Sequence, residues 1–575
     1  MDWLSELFAR ELKLGSSRLD PRAGFADQGI DSILMAELVR SIERALGVSL
    51  PPSLLFEHTT VAALHDYLAR DFPEAIKARG GADEAVAATV VQPEYPRPYS
   101  SRPDSLSADI AVIGLSCRFP GAPDATAFWN LLRRGESAIG RTPEERWAEV
   151  GREWFGGFVE GIDEFDPEFF RLSEEDAAIM DPQARLILEE SARTLYDAGY
   201  GEHGLDGRRV GVYIGARASA ARDENILRAA NPILGLGQNY IAANISRCFN
   251  FAGPSLVVDT ACSSALVGMH LAVRALQNGE IDYALVGGVS LLLDDTAHRL
   301  FASRRLLRPD GVFHLFDRRA DGVVLGEGAG AVLLKPLDAA LRDGDCIEGV
   351  IKGIAVNNNG RTAGPNAPSF QAQKDVIAAA LRESGKRADE IAEIEASGSG
   401  SMVNDLLELK SLAAVLGGKR ATCYLGSVKT NVGHLLSAAG AASFLKAVLS
   451  VRHGEHTPHL SAEQLPLYFD FKQAGFEIGR KLRPWAGPGS RTACVTSFPD
   501  GGTNCCVVIE YPEAIPAARR EAIPGPFFRK RKLIERRIGE ALEAEAAIRP
   551  VRAAVPEPVF AVANGKGEDF WGLTE

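Results

Sequence analysis

The sequence has few cysteines, no excess of basic residues and no long apolar run. Eight cysteines are spread over 575 residues without a CxxC pair, which fits free thiols in a reducing compartment better than a disulfide framework. With 63 basic and 76 acidic residues, the net charge of −13 argues against a general nucleic-acid-binding surface. No apolar run reaches the ~18 residues of a spanning helix, and the first residues lack a secretory signal. We therefore expect a cytoplasmic protein that binds neither nucleic acid nor membrane.

Residues 1–72 and 73–106 differ in pattern. In the first stretch, apolar residues recur at helical spacing, as at Leu34 and Leu38, which predicts an amphipathic helix beginning near Ser32. The second stretch is rich in Ala, Pro, Gly and charged residues and has no such periodicity. The sequence therefore predicts a small helical bundle followed by a linker.

From residue 107 to 511, short apolar runs rich in β-branched residues alternate with helical stretches. This alternation predicts buried strands in an α/β layer architecture. The strand segments form two series, but the sequence alone does not prove that one series copies the other. They are 109–115, 209–216, 255–261 and 283–293, then 330–337, 349–356, 391–397, 423–430 and 506–511.

Residues 512–575 change character again. Eight basic and two acidic residues lie between Arg519 and Arg537. Such a local basic patch is either a solvated face or a docking surface for an acidic partner. We treat this segment as a basic C-terminal tail rather than as a domain.

Ser32 follows Asp31 at the predicted start of the amphipathic helix. Serine and aspartate commonly cap helices at such positions. A phosphate-bearing serine is the alternative, because the free N–H groups and the dipole of a helix N-terminus favour an anion there. The local pattern leaves both readings open.

A resemblance to a known family favours the phosphate-bearing serine over the helix cap. The segment GFADQGIDSILMAELVRSIERALGVSLPPSLLFEHTTVAALHDYL resembles an acyl carrier protein, whose attachment motif of Asp, Ser and an apolar residue matches Asp31-Ser32-Ile33. The resemblance implies a four-helix carrier bundle. It also implies that Ser32 bears 4′-phosphopantetheine, attached by a phosphopantetheinyl transferase, whose thiol carries acyl groups as thioesters.

Two residues of the large domain are candidates for nucleophilic catalysis. Cys262 lies where an apolar run passes into a helical pattern, and a helix N-terminus lowers a thiol pKa, although free cysteines are also common as inert core residues. His434 precedes a small-residue helix, which favours a neutral imidazole. A buried structural histidine is the alternative reading.

Other motifs point to chemistry less strongly. His453, His456 and His459 are separated by a Thr-Pro pair that breaks a common helix face, so we expect no metal site there. The glycines of 326–330 precede a strand, which is the wrong context for a dinucleotide loop. The turn at 501–504 presents backbone N–H groups that fit an oxyanion hole or an ordinary turn.

Together these motifs resemble a β-ketoacyl synthase of a modular polyketide synthase. The resemblance implies an α/β thiolase fold with two pseudo-repeated layered halves, and a homodimer. It also implies that Cys262 accepts the acyl group, with His434 as one of two active-site histidines and Lys429 in support. The matching segments are GLSCRFPGA (114–122), GGFVEGIDEFDPEFF (156–170), MDPQARLILEE (180–190), VDTACSSALVGMHLAV (258–273), KTNVGHL (429–435) and GGTN (501–504).

Two positions depart from the family pattern. The second histidine of the family lies in Glu-Ala-His-Gly-Thr-Gly-Thr, and the matching stretch EASGSGS has Ser397 instead. Serine is neither a base nor a cation near neutral pH, and losing such a donor costs ~10²–10³ in rate. The aromatic residue whose N–H completes the family's oxyanion hole with that of Cys262 is replaced by Asp500. Its carboxylate adds negative charge where an enolate would develop.

The departures predict a non-elongating ketosynthase of the kind that works without a built-in acyltransferase. An acyl chain would pass from the carrier at Ser32 to Cys262, and then to a carrier on another polyketide synthase subunit. An elongating enzyme and a silent dimeric scaffold that docks carriers are the alternatives. The tail segment GPFFRKR (525–531) resembles one that wraps back over the synthase in these proteins.

Overall fold

The N-terminal part of the chain folds as a small helical bundle. The computed structural model describes residues 2–11, 20–25, 28, 30, 32–78, 109–144, 146–147, 153–218, 231–235, 237–364, 366–418, 422–486 and 489–533. The helices of the bundle are α1 (Asp2–Glu11), α2 (Ser32–Leu46), α3 (Leu54–Glu57), α4 (Val61–Asp71) and α5 (Pro73–Ala78). On the apolar stripe of α2, Leu38 and Ile42 are fully buried against apolar residues of α1 and α4. The predicted four-helix bundle is confirmed as α1 to α4, to which α5 is added within the described residues.

The short helix α5 occupies the first six residues of the predicted linker. It packs against α4, with Ile76 resting on the apolar core of the bundle. Residues 79–106 of the predicted linker lie outside the described residues.

A large mixed sheet organises the remainder of the described chain. The strands are β1 (Ile110–Arg118), β2 (Ile139–Arg141), β3 (Phe155–Gly157), β4 (Glu164–Phe165), β5 (Val210–Gly215), β6 (Ser255–Val258), β7 (Tyr283–Ser290), β8 (Leu325–Gly326), β9 (Gly328–Pro336), β10 (Gly349–Asn358), β11 (Glu393–Glu395), β12 (Cys423–Gly426), β13 (Glu455–His456), β14 (Phe476–Ile478), β15 (Arg483–Pro484), β16 (Arg491–Ser497), β17 (Thr503–Tyr511) and β18 (Arg531–Lys532). The large sheet has the order β14-β12-β11-β16-β17-β10-β1-β9-β7-β5-β6. Short strands outside it form three small sheets, β2-β3-β8, β4-β18 and β13-β15.

The strands form two halves that repeat one pairing pattern. The segment 330–337, which we expected in the second series, forms β9 and belongs to the first half. In the first half, β5 pairs in parallel with β6 and β7, after which β7, β9 and β1 pair antiparallel. In the second half, β11 pairs in parallel with β12 and β16, after which β16, β17 and β10 pair antiparallel. The halves meet where β1 and β10 pair antiparallel. This arrangement confirms two pseudo-repeated halves.

Helices form layers on both faces of the two halves. The helices are α6 (Ala125–Arg134), α7 (Glu174–Ile179), α8 (Pro182–Asp197), α9 (Tyr240–Cys248), α10 (Ser264–Gln277), α11 (Thr296–Ser303), α12 (Leu337–Asp343), α13 (Phe370–Ser384), α14 (Met402–Leu416), α15 (Lys429–Val432), α16 (Ala439–His453) and α17 (Phe471–Ala474). Helices α10 and α16 lie against each other and against strands of both halves, while α8 covers β1 and β9, and α13 covers β10 and β17. The first turn of α10 lies so close to Gly215 that a Cβ added to this glycine would sit 2.4 Å from the Ala265 nitrogen.

The described part of the basic tail, residues 512–533, lies on the large domain. Strand β18 pairs with β4, and the Phe528 ring packs 4.9 Å from Phe169 and 5.6 Å from Phe170, centroid to centroid. Basic side chains of the tail pair with acids of the same chain, as Lys530 does with Glu189 and Arg520 with Asp345. These basic groups thus face the large domain itself. Residues 534–575 lie outside the described residues.

Among the described residues, no helix is both long and apolar enough to cross a bilayer.

Candidate active site

Cys262 occupies a tight turn between β6 and α10. The preceding Ala261 adopts a left-handed conformation with φ of 57°, which is uncommon for a residue other than glycine. The Ser263 hydroxyl donates a hydrogen bond of 2.8 Å to the Thr503 carbonyl, and the Ser497 hydroxyl donates one of 3.3 Å to the Cys262 carbonyl. These contacts fix the cysteine at the start of the helix.

The Cys262 thiol experiences opposing electrostatic effects. Burial raises its pKa, the positive charge of Lys429 and the backbone N–H groups of Cys262 and Asp500 lower it, and the Asp500 carboxylate raises it further. The balance lies above the ordinary thiol value, so the expectation that the helix N-terminus would lower the pKa is wrong. Burial outweighs the dipole because the surrounding protein removes water from the thiol, although the residue as a whole is only partly buried.

His434 presents a neutral ring to the site. Its Nδ1 accepts a hydrogen bond of 3.0 Å from the Leu436 backbone N–H, which places the ring proton on Nε2. Burial and the nearby Lys429 charge hold the pKa of this imidazole well below its usual range. The ring therefore acts as a hydrogen-bond donor through Nε2 at neutral pH.

Lys429 links the charges of the site. Its buried ammonium donates a hydrogen bond of 3.0 Å to the Gly398 carbonyl. The same ammonium acts electrostatically on Cys262, His434 and Asp500. Lys429 therefore brings the cysteine, the histidine, the altered turn and the loop after β11 into one site.

Ser397 is buried in the loop that follows β11. Its backbone N–H donates to Glu408 at 2.8 Å and to the Thr496 hydroxyl at 3.1 Å. Its hydroxyl oxygen accepts a hydrogen bond of 3.1 Å from the Phe498 backbone N–H. The backbone of this loop is thus tightly held, while the side chain offers one short polar group.

Two buried acids on α14 hold the loop from behind. Glu408 accepts from the N–H groups of Ser397 and Gly398, and Asp405 accepts from those of Ser399 and Gly400. Burial raises the pKa of Glu408 to about 7 and also raises that of Asp405. Their oxygens are occupied by backbone donors, so these acids support the loop rather than face a substrate.

Asp500 lies on the turn between β16 and β17. The following Gly501 and Gly502 have φ of 80° and 75°, and the Gly502 N–H closes the turn on the Pro499 carbonyl at 3.1 Å. The protein around the Asp500 carboxyl partly desolvates it and raises its pKa, while Lys429 lowers it, although the residue as a whole is exposed. Its carboxylate and its N–H group both act on the Cys262 sulfur.

The contacts that sequence reasoning missed come from Thr496, Ser497 and Phe498 at the end of β16. Thr496 and Phe498 bind Ser397, and Ser497 binds the Cys262 carbonyl. Strand β16 was not among the predicted strands, because its sequence RTACVTS mixes polar with apolar residues. No local pattern marks these residues.

The candidate attachment site opens α2. Ser32 is the first residue of that helix, and no acidic residue lies in its first turn, so a phosphate there meets the positive end of the dipole. The helix therefore fits a phosphate-linked group. Asp31 lies outside the described residues, as does the side chain of Ser32.

The three histidines near residue 456 have separate environments. His453 stacks on Trp129, the His456 Nδ1 lies 2.7 Å from a Glu393 oxygen, and the His459 Nδ1 accepts from the Ser427 N–H. Within the described ranges, no cluster of His, Cys, Asp and Glu has the geometry to bind a metal ion.

This thiolase fold has a partly buried cysteine at a helix start and a neutral histidine, both under the influence of the Lys429 charge. It defines a class of enzymes that transfer acyl groups through a cysteine thioester. Residues 107–340 match the family described as "Beta-ketoacyl synthase, N-terminal domain", and residues 348–463 match its C-terminal domain. Residues 2–68 match "Phosphopantetheine attachment site". The chain belongs to the β-ketoacyl synthases of modular polyketide synthases, preceded by a carrier domain with covalently attached 4′-phosphopantetheine.

Relatives of known structure and sequence share this architecture. An oxazolomycin ketosynthase domain, OzmH KS8 from Streptomyces albus JA3453, is 43% identical with a TM-score of 0.61, covering 74% of this chain and 100% of its own. The ketosynthase of module 6 of the bacillaene synthase from Bacillus subtilis is 37% identical with a TM-score of 0.65, covering 70% and 72%. Polyketide synthase PksL of Bacillus subtilis is 41% identical over 99% of this chain, which spans 12% of that protein.

Proposed function

We propose that the ketosynthase domain transfers an acyl chain from its own carrier domain to Cys262, and then to a downstream carrier, without extending the chain. The observation that carries this proposal is the buried Ser397 hydroxyl, which accepts a hydrogen bond from Phe498 where the family has a second imidazole. The site retains the groups that acyl transfer needs and lacks one that carbon–carbon bond formation needs.

The first transfer uses the groups around Cys262. When bound on Ser32, 4′-phosphopantetheine supplies a thiol that carries the acyl group as a thioester. Lys429 favours the thiolate of Cys262, which attacks the thioester carbonyl. The N–H groups of Cys262 and Asp500, which already face the sulfur, stabilise the oxyanion. His434 donates a hydrogen bond through Nε2 to the developing negative charge. As Cys262 forms its new thioester bond, the bond to the carrier's sulfur breaks, and the proton released by Cys262 goes to that sulfur. The second transfer reverses these steps toward the receiving carrier.

Decarboxylative condensation makes a greater demand on the site. It releases carbon dioxide and builds an enolate, whose negative charge two imidazole donors share in the family. Here His434 supplies one donor, and Ser397 supplies a short hydroxyl in place of the other. The Asp500 carboxylate adds negative charge that acts on the same sulfur, which destabilises an anion nearby. Losing one donor costs ~10²–10³ in rate.

The carrier domain precedes the ketosynthase in the chain, and this order indicates which carrier donates the acyl chain and which one receives it. A carrier ahead of the ketosynthase would hold the product of the preceding step, so the receiver would be a carrier elsewhere in the assembly line. We expect a homodimer formed through the ketosynthase, other polyketide synthase subunits as partners, and acyltransferase activity supplied by a separate protein. The domain limits we propose are 1–72, 73–106, 107–511 and 512–575.

Mass spectrometry of the intact chain tests this function. Ser32 would be loaded with an acyl-pantetheine, and unloaded or malonyl-loaded acceptor carrier would be added separately to wild type and to Cys262→Ala. Acyl mass that depends on Cys262 and passes unextended to the unloaded acceptor supports the proposal. An extended chain on the malonyl acceptor would show that Ser397 permits condensation. No acyl mass on Cys262 would leave the silent dimeric scaffold as the function.

A further inference from the structure

The carrier domain contacts the ketosynthase through the segment after α2. The Ser49 hydroxyl lies 2.8 Å from the Tyr468 hydroxyl, and Lys410 of α14 forms an ion pair with Glu57 at the end of α3. The Lys410 ammonium also donates to the Ser53 hydroxyl at 3.2 Å. We define residues 49–57 as the carrier face.

Apolar and polar contacts coincide at this interface. Ala363 of the ketosynthase packs against the apolar core of the carrier. The side chains of Lys410 and Glu57 are only 22% and 19% exposed, which is low for long charged residues. Ser53 is fully buried and donates to Glu57 at 2.5 Å. The Lys410–Glu57 pair is thus oriented by a third polar group, unlike an isolated surface ion pair. We define Ala363, Lys410 and Tyr468 as the docking face.

The carrier face lies beyond the C-terminal end of α2, whereas Ser32 is the first residue of that helix. The contacts that hold the carrier therefore come from the end of the helix opposite the attachment position. On the ketosynthase, Lys410 belongs to the same helix whose Asp405 and Glu408 hold the Ser397 loop. One residue of the docking face, Lys410, thus lies on a helix that also supports the active site.

We propose that the docking face is the binding site for the carrier domain of the same chain, and that it holds this carrier while Ser32 delivers its acyl group. The charges are complementary, since a carrier glutamate meets a ketosynthase lysine. Residues 79–108 join the two domains covalently, and such a tether keeps the local concentration of the carrier at about the millimolar level. At that concentration, an interface with a Kd of about 1 mM is occupied about half of the time. The proposal does not depend on whether Ser397 permits chain extension.

A zero-length cross-linker tests the contact without any transfer. A carbodiimide applied to the purified full chain joins a lysine amine to a carboxylate that touches it. We expect a Lys410–Glu57 peptide from the single-chain band. Glu57→Gln should abolish this peptide, and Glu37→Gln, at an exposed carrier position, should leave it unchanged. Absence of the peptide in wild type, or its formation only between two chains, would overturn the proposal.

A charge swap tests the role of the contact in delivery. Lys410→Glu and Glu57→Lys should each slow single-turnover transfer from Ser32 to Cys262 about tenfold, because each places like charges together. The double variant should recover to within about twofold of wild type. Arg304→Glu reverses an exposed charge outside the docking face and should have no effect. Transfer at the wild-type rate in both single variants, or no recovery in the double variant, would overturn the delivery role. If wild type transfers nothing, the cross-link still reports the docking.

Discussion

The hydroxyl oxygen of Ser397 accepts a hydrogen bond from the Phe498 backbone N–H at 3.1 Å. The backbone of the Ser397 loop is held independently of this side chain, because Glu408 and Thr496 bind the Ser397 N–H. The backbone at position 397 would therefore keep its conformation if a longer side chain replaced the serine.

Ser397→His should increase chain extension, because an imidazole placed by the same loop adds the missing donor for the enolate. We expect extension of a malonyl-loaded acceptor to rise at least about tenfold, toward the ~10²–10³ that one such donor contributes. Release of carbon dioxide and the mass of the acceptor carrier measure this gain. Transfer of the acyl chain from Ser32 to Cys262 should change less.

The double variant Ser397→His with Asp500→Phe separates the two departures from the family pattern. If the carboxylate of Asp500 also opposes the enolate, the double variant should extend faster than Ser397→His alone. Equal rates would assign the whole defect to Ser397. No extension by the double variant would contradict the account in which these two positions disable condensation.

The reactivity of Cys262 should rise with pH beyond the ordinary range of a thiol. Burial raises the pKa of Cys262, so the thiolate fraction at pH 7 is smaller than that of a free cysteine and keeps increasing above pH 9. Iodoacetamide alkylation, followed by peptide mapping from pH 6 to 10.5, measures this profile. A plateau reached below pH 8 would contradict the direction of the shift.

Two variants should move this alkylation profile in opposite directions. Asp500→Asn removes a negative charge that raises the pKa of the thiol, so alkylation at pH 7 should be roughly three- to tenfold faster. Lys429→Met removes a positive charge that lowers the pKa, so alkylation should be slower by a similar factor. Shifts in the same direction would exclude an electrostatic cause.

The sequence predicts most of the fold, because buried strands such as β5 and β7 are short apolar runs that stand out locally. Strand β16 escapes this reasoning, since its Thr and Ser residues are buried only once the chain has folded, with β16 between β11 and β17 and packed against α16. The direction of the Cys262 pKa shift is mispredicted because it too depends on burial in the complete fold. A helix start is visible in the sequence, but the depth at which the fold buries the thiol is not.

The buried carboxyl of Glu408 should make stability fall as pH rises. Its pKa is raised from 4.5 to about 7 in the folded chain, so folding binds an extra proton between these values. The stabilising contribution is complete below about pH 4.5 and is lost as pH rises through about 7. The loss attributable to Glu408 is of order 3 kcal/mol. Thermal unfolding measured at pH 4.5 to 8 should show this decline.

Glu408→Gln tests the origin of the decline, because glutamine does not titrate. The variant should lose the part of the pH dependence that lies between about pH 4.5 and 7. Other buried acids, such as Glu348 with a pKa raised to about 7, contribute to both proteins and cancel in the difference. An unchanged slope in Glu408→Gln would mean that this carboxyl does not retain its proton in the folded chain.

The adjacent residues Phe527 and Phe528 provide a matched test of the tail. Phe528 packs on Phe169 and Phe170, whereas Phe527 is 83% exposed. Phe528→Ala should lower the free energy of unfolding by about 1–2 kcal/mol, because the ring is partly buried, and Phe527→Ala should change it by less than about 0.5 kcal/mol. Urea denaturation followed by tryptophan fluorescence measures both. Equal effects would mean that the tail does not rest on the large domain through Phe528, because only that ring has a packing surface to lose.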